Sequence, residues 1–111
     1  MSELSALQRR FARMVGELIG EIYRRGYECS LGEAWRPVET AELYAEQGRG
    51  IASSLHTSRL AIDLILWHDD NVTFAPQDYR PIGEWWEDHG GAWGGRFNDY
   101  GHFSLAYGGR K

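Results

Sequence analysis

The 111-residue sequence is poor in cysteine and in uninterrupted apolar stretches, and both shortages restrict what the protein can be. Cys29 is the single cysteine, so neither an internal disulfide nor an all-cysteine metal site can form. No apolar run approaches the roughly 20 residues that span a membrane. The N-terminal segment places Arg9, Arg10 and Arg13 where a secretory signal needs apolar residues. We therefore expect synthesis in the cytoplasm, with neither a signal peptide nor a membrane span.

Basic residues are too scattered to form a nucleic-acid-binding surface. The chain has 12 lysine and arginine residues against 16 aspartate and glutamate residues, a net charge of −4, without a clustered basic stripe. A hydrophobic content of 42% is enough for one buried core. We therefore expect a single domain over residues 1–111, acting as a monomer on a partner that is not nucleic acid.

The spacing of apolar residues predicts helices in the first half of the chain and strands mainly in the second. Apolar residues three or four apart predict a helix from Leu4 to Ile22 that Gly26 ends, and Pro37 opens a second helix that closes near Gly48. Strands are predicted at 27–35, 60–67, 72–74 and 102–105, with a hairpin turn at 68–71 and a short helix at 81–87. This order predicts an α+β fold, with N-terminal helices packed on a small, mainly antiparallel sheet.

Asp63 is the anomaly of the strand predicted at 60–67, because a carboxylate within an apolar run is costly unless a positive charge meets it. A metal ion would neutralise this carboxylate, and catalytic zinc sites commonly use histidine and carboxylate ligands. His56 and His102 would complete such a set, although a surface pair or a buried hydrogen bond is the ordinary reading of one histidine near an aspartate. A competing set in the HDD sequence at 68–70 is disfavoured, since adjacent turn residues converge poorly on one tetrahedral ion.

Three short motifs follow one another in the second half of the chain: SLHTSRLAID at 54–63, WGG at 93–95 and DYGHF at 99–103. They resemble the patterns SxHxxGxAxD, WGG and DxxHF of the zinc D-alanyl-D-alanine carboxypeptidase family, which includes phage L-alanyl-D-glutamate endolysins. The resemblance extends from about Trp35 to Leu105. It implies the hedgehog/DD-peptidase-like form of the α+β fold, and it implies that His56, Asp63 and His102 bind Zn²⁺.

The resemblance also implies roles for residues near these three ligands. Asp99 holds the position of a general base that later acts as an acid. Arg36, in WRP at 35–37, is the counterpart of an arginine that binds the substrate or its oxyanion, although a surface arginine before a proline is the simpler reading without the resemblance. Ser54 and Trp93 belong to the matching motifs and are expected to contact the substrate. For most of the five tryptophans, packing is the better expectation.

The sequence departs from the family pattern at substrate-facing positions. Arg59 stands where the family has glycine, WRP replaces a YRS-like motif, and Thr40 stands where glutamine is usual. As a hypothesis, Arg59 binds a carboxylate of an acidic stem peptide, since it follows His56 by three positions. No departure removes a ligand, but the choice between endopeptidase and carboxypeptidase stays open.

These implications predict a zinc-dependent peptidoglycan peptidase that cleaves the L-alanyl-D-glutamate bond of the stem peptide. Such a protein resembles a phage endolysin of gram-negative hosts, released through a separate pore to act on the cell wall in the periplasm. D-alanyl-D-alanine carboxypeptidase activity is the alternative within the class. A non-catalytic, zinc-stabilised wall-binding module is the alternative from another class, and the presence of Asp99 as a candidate base argues against it.

Overall fold

The computed structural model describes residues 2–51 and 54–111 as three α-helices and a five-stranded sheet. In chain order the regular elements are α1 (Glu3–Arg24), β1 (Glu28–Leu31), α2 (Val38–Glu46), β2 (Ala61–His68), β3 (Asn71–Thr73), α3 (Pro76–Asp88), β4 (Ala92–Trp93) and β5 (His102–Ser104). Short 3₁₀ helices at Leu55–Ser58 and Gly94–Phe97 precede β2 and follow β4. The α+β prediction is confirmed, with every strand pair antiparallel.

Two elements differ in extent from the sequence prediction. The first strand ends at Leu31 instead of reaching Trp35, although the following residues stay beside β2 through the Gly32 N–H bond to the Asp63 carbonyl, at 2.7 Å. Helix α3 begins at Pro76, not at Pro81. Proline suits the first helical position because its missing N–H would have no partner there, and Pro81 lies inside the helix.

Strand β2 is the centre of the sheet, and its two faces have different environments. It pairs with β1 over residues 64–67, with β5 over residues 61–63 and with β3 over residues 66–68. Side chains alternate between the faces of a strand. Ile62, Leu64 and Leu66 therefore share one face, where they are buried in the same core as apolar residues of α1 and α3. Asp63 lies on the opposite face.

The core explains why α1 and α3 form as amphipathic helices. Phe11, Met14, Leu18 and Ile22 of α1 are buried at helical spacing, and α3 contributes Tyr79, Ile82 and the fully buried Trp86. The Trp86 indole N–H donates to the Ser104 carbonyl at 3.0 Å, so its one polar group is satisfied. Among the residues described, no helix combines the length and the apolar character needed to cross a membrane.

Candidate metal centre

A 3₁₀ helix presents His56 at the edge of the sheet. The Ser54 hydroxyl caps this helix by accepting a hydrogen bond from the His56 backbone N–H at 3.2 Å. Arg59 ends the helix in the left-handed conformation, with φ of 59°. Glycine adopts that conformation without a side-chain penalty, which explains physically why a glycine suits this position. The helix therefore fixes the chain direction between His56 and β2.

The His56 ring is oriented by a backbone carbonyl from the segment after β1. Its Nδ1 lies 3.1 Å from the Ala34 oxygen, and the side chain is almost fully buried. Because a carbonyl can only accept, this contact places the ring proton on Nδ1 and leaves the Nε2 lone pair available. Ligating histidines are usually held by such a second contact.

Sheet register brings Asp63 and His102 together. These two residues are direct partners across the β2 and β5 pair, so their side chains project from the same face. The neighbouring partners Ile62 and Phe103 project to the core face, where both are buried. The carboxylate that is anomalous in the apolar sequence thus points out of the core, toward two imidazoles.

The three side chains converge on one Asp63 oxygen. His56 Nε2 and His102 Nδ1 each lie 3.4 Å from Asp63 Oδ1. One donor atom from each of the three residues lies within 4.8 Å of the other two. Among the described residues, no other group of three or more histidine, cysteine, aspartate or glutamate side chains converges closely enough to hold a metal ion. The competing set at 68–70 does not form such a cluster within that part of the chain.

The polar atoms of this cluster fit a metal ion. Asp63 Oδ1, on which the two imidazoles converge, is buried and has no hydrogen-bond partner among the residues described. Donors about 2.0–2.1 Å from a tetrahedral ion are separated by about 3.3 Å. The two measured 3.4 Å separations agree with that spacing, whereas they are long for hydrogen bonds. Two imidazoles and one carboxylate also leave a fourth position for water or substrate.

The protonation of the cluster also suits cation binding. Burial alone would raise the pKa of Asp63, but its contacts with His102 and His56 outweigh burial and lower the pKa to about 2. Burial alone would lower the pKa of His56, but the Asp63 carboxylate reverses the effect and raises it. The cluster therefore keeps a carboxylate charge at neutral pH, and an ion that binds there competes with the proton that the Asp63 carboxylate favours on His56.

Asp99 lies beside the cluster on the loop between the second 3₁₀ helix and β5. Its Oδ2 is 3.9 Å from His102 Nδ1, while 60% of its side chain is exposed. Partial desolvation raises the pKa of Asp99, and the nearby Asp63 carboxylate raises it further, against the lowering effect of the imidazoles. A carboxyl group with a raised pKa that is open to solvent can exchange protons with a bound molecule.

Gly94 makes the close approach of Asp99 and His102 possible. A Cβ atom at this position would lie 2.6 Å from the Cβ of His102 and closer still to the Asp99 carbonyl oxygen. The Asp99 N–H donates to the Gly94 carbonyl at 2.9 Å, and the His102 N–H donates to the Asp99 carbonyl at 3.1 Å. The first glycine of the WGG motif therefore holds the loop against the cluster.

A cavity of about 580 Å³ opens over the cluster, and it contains some of the residues expected to bind substrate. His56, Asp63, Asp99 and His102 line it together with Ser54 and Arg36. Arg36 is 13% exposed and pairs with Glu33, its Nε lying 2.6 Å from Glu33 Oε1. Its backbone N–H donates to the His56 carbonyl at 3.2 Å. The position of Arg36 is therefore that of a largely buried side chain at the cavity, not that of a surface arginine.

Arg59 and Trp93 do not line this cavity. The Arg59 guanidinium lies over the Trp35 ring, 4.6 Å from its centroid, in a separate groove beside α1. Trp93 is 2% exposed, and its indole N–H donates to the Tyr100 carbonyl at 2.9 Å. These positions give no support to the expected substrate contacts. The Arg59 side chain lies over Trp35, and the Trp93 side chain is buried among its neighbours.

The remaining histidines, His68 and His89, lie away from the cluster. His68 is 59% exposed at the end of β2, and His89 is exposed at the end of α3, where it stacks on Trp85 at 4.0 Å. Sequence reasoning missed three basic residues of the cavity, Arg49, Arg110 and Lys111. The two arginines adjoin glycine, in GRG at 48–50 and GGR at 108–110, and glycine next to arginine is the one sequence signal that could have indicated them.

Comparison with known proteins identifies the family of the chain and supports its fold. The family model described as D-alanyl-D-alanine carboxypeptidase matches residues 47–105, more than half of the chain. No curated protein sequence matches. Among solved structures, the L-Ala D-Glu endopeptidase ChiX of Serratia marcescens superposes with a TM-score of 0.72 at 18% identity, covering 88% of this chain and 79% of that one. The structural likeness supports the fold, and the family match carries the assignment. The chain belongs to the D-alanyl-D-alanine carboxypeptidase family and is a peptidase.

Proposed function

We propose that this peptidase is zinc-dependent and hydrolyses the L-alanyl-D-glutamate bond in the stem peptide of peptidoglycan. The observation that carries the zinc proposal is the convergence of His56, His102 and Asp63, with two nitrogens 3.4 Å from one unpartnered carboxylate oxygen. His56 Nε2, Asp63 Oδ1 and His102 Nδ1 would hold the ion. A zinc ion bound there supplies Lewis acidity, which lowers the pKa of a coordinated water toward about 7 and polarises a substrate carbonyl.

Asp99 is the residue that moves the proton. Its carboxylate lies at the cavity beside His102 and accepts a proton from the attacking water. The same carboxyl group then donates that proton to the leaving amine, so the water becomes part of the new carboxylate product and the peptide nitrogen leaves as an amine.

Arg36 and Ser54 are the proposed substrate-binding residues among those expected from the sequence. The Arg36 guanidinium is always charged, and at the cavity wall it stabilises negative charge that develops on the carbonyl oxygen. Glu33 orients it through their ion pair. Ser54 already accepts from the His56 N–H, so it positions the ligand histidine as well as lining the cavity.

The choice of bond rests on the structural neighbour, which is an L-Ala D-Glu endopeptidase by name. The name of the matching family favours the second candidate, D-alanyl-D-alanine carboxypeptidase activity. Mass spectrometry of purified muropeptides after digestion separates the two. Release of the stem peptide without its L-alanine supports the endopeptidase, whereas release of D-alanine alone supports the carboxypeptidase.

Peptidoglycan lies outside the cytoplasmic membrane, so either activity acts in the periplasm. Lysis of outer-membrane-stripped cells tests the endolysin prediction.

One variant separates a peptidase from a non-catalytic wall-binding module. Asp99→Ala should retain zinc, measured by metal analysis, but lose about 10²- to 10⁴-fold in hydrolysis, the contribution typical of a general acid–base residue. Asp88→Ala is the matched control, since Asp88 is exposed at the end of α3 and does not line the cavity. If Asp99→Ala hydrolyses muropeptides as fast as the control, the role assigned to Asp99 is wrong.

A further inference from the structure

The cavity over the ligand cluster concentrates positive charge in an acidic protein. Its lining includes the basic residues Arg36, Arg49, Arg110 and Lys111, whereas its carboxylates are Asp63 and Asp99. The chain as a whole has a net charge of −4. Clefts with one sign of charge raise the local concentration of oppositely charged ligands. The local excess of positive charge therefore favours an anionic ligand at this cavity, although the protein as a whole is negatively charged.

Arg49 is held at the cavity by the turn that follows α2. Gly48 adopts φ of 71°, and the Arg49 N–H then donates to the Tyr44 carbonyl at 2.7 Å. The guanidinium lies over the Tyr44 ring, 4.5 Å from its centroid, and Nη1 donates to Gln47 Oε1 at 3.0 Å. Within residues 2–51 and 54–111, no carboxylate pairs with Arg49 at ion-pair distance. These contacts orient the guanidinium but do not neutralise it.

Arg110 reaches the same cavity from a different part of the chain. Tyr107 and Arg110 exchange two backbone hydrogen bonds of 3.0 Å, which close a turn through Gly108 and Gly109 with φ of 58° and 77°. Arg110 Nη2 donates to the Ser58 hydroxyl at 3.3 Å, and Ser58 belongs to the 3₁₀ helix that presents His56. The turn thus fastens this guanidinium beside the cluster.

The cavity on the other side of Asp63 and Asp99 has a different character. It measures about 390 Å³ and also includes both carboxylates in its wall. Ile65, Phe74 and Tyr100 contribute to its lining, and no basic residue of the described chain does. The two cavities meet at the catalytic carboxylate, so a peptide that crosses Asp99 has one portion among cations and the other among apolar and aromatic groups.

We infer that Arg49 and Arg110 form a carboxylate-binding subsite, which selects peptides that carry a carboxylate close to the scissile bond and orients them across the two cavities. This inference rests on the proposed function, because it assigns the substrate class of the same site. The guanidinium fork can bind a carboxylate through two parallel hydrogen bonds, and such charge-assisted bonds are stronger than neutral ones. The acidic-peptide contact expected of Arg59 falls instead to these two arginines.

The test compares two substrates that differ in one group. The zinc-loaded protein is assayed with a stem peptide whose glutamyl carboxyl group is free and with the same peptide carrying a carboxamide there. Arg49→Gln should raise KM for the free acid about fivefold, the effect of losing roughly 1 kcal/mol from a partly exposed charged contact, with kcat nearly unchanged. KM for the carboxamide should not change. Arg110→Gln should behave likewise, and calorimetry with the hydrolysis product should show the same loss of affinity.

Arg13→Gln is the matched control, since Arg13 is an exposed arginine of α1 outside the cavity and the substitution removes the same charge. A variant that loses activity equally on acid and carboxamide would show a structural role for that arginine and overturn the subsite. The subsite is also overturned if Arg49→Gln and Arg110→Gln prefer the free acid over the carboxamide as strongly as Arg13→Gln does. If the zinc-loaded wild type hydrolyses neither peptide, the proposed function itself fails and the subsite with it, which distinguishes the two failures.

Discussion

Replacing Gly94 with alanine should weaken both the fold and the metal centre through one methyl group. The added Cβ would lie 2.6 Å from the His102 Cβ, and ordinary van der Waals contact begins at 3.4 Å, so the two groups must separate by 3.4 − 2.6 = 0.8 Å. The Asp99 carbonyl oxygen lies closer still and is backbone, which cannot rotate away. Overpacking of this kind typically costs about 1–3 kcal/mol of unfolding free energy.

The same displacement reaches the proposed metal ligands. Metal–ligand distances tolerate only about 0.2 Å, so a shift of several tenths of an ångström in His102 should disturb its bond to zinc. We expect zinc affinity to fall by about 10- to 100-fold, the range found when the supporting contacts of a ligand are changed. Urea unfolding of chelator-treated protein measures the first effect, and competition with a chromophoric chelator measures the second.

Gly16→Ala is the matched control for this substitution. Gly16 lies within α1, and an added Cβ there meets nothing within 4 Å. The change should stabilise the protein by about 0.5–1 kcal/mol, because alanine loses less backbone entropy in a helix than glycine does. If Gly94→Ala matches this control in both unfolding free energy and zinc affinity, the reasoning that Gly94 holds His102 in place is refuted.

Three further results are expected. Chelation should lower the thermal unfolding midpoint, and zinc should restore it. Free zinc at 1,000 times its dissociation constant adds about 4 kcal/mol to the free energy of unfolding. An unchanged midpoint would contradict a metal held by the native state. In chelator-treated protein, Asp63 has a folded pKa of about 2 against an ordinary value of 3.8, so its stabilising contribution is complete above pH 3.8 and is lost as the pH falls toward 2. Asp63→Asn should flatten urea stability across that window, and an unchanged slope would count against the ion pairs. Arg59→Ala should leave KM unchanged within about twofold, because its guanidinium lies over Trp35 outside the cavity; a large rise would restore its predicted role.

The elements that the sequence predicted well are those whose apolar period is unambiguous. Helix α1 and strand β2 were both expected near their observed bounds, since their buried residues repeat at helical spacing and in alternation. Helix α3 was expected too short, because Pro81 resembles a helix start but lies inside a helix that Pro76 begins. A proline in either place has the same local signature, and only the packing of Tyr79 against the core distinguishes them.

Motif spacing was enough to propose the three metal ligands. It could not predict the contacts that orient them or the other residues of the cavity. The Ala34 carbonyl that orients His56 belongs to an alanine, whose side chain carries no signal of the contact. Arg59 stands three positions after His56, yet the left-handed turn at Arg59 directs it to Trp35. Arg49 and Arg110 reach the cavity through long-range folding of glycine-rich turns, which neither periodicity nor short spacing encodes.

Strand β2 shows how the core holds the ligands in register although core and site occupy opposite faces of one strand. Asp63 projects from one face of the strand toward His102, whereas the even-numbered Ile62 and Leu64 project from the other face into the core. A one-residue slip in the β2 and β5 register would put Asp63 into the core and expose an apolar side chain, so the burial of the even positions fixes the register on which ligand convergence depends. The direct pairing of Asp63 with His102 is thus enforced by residues that contact neither substrate nor metal. Substitutions on the core face should therefore alter metal affinity only to the extent that they alter this register.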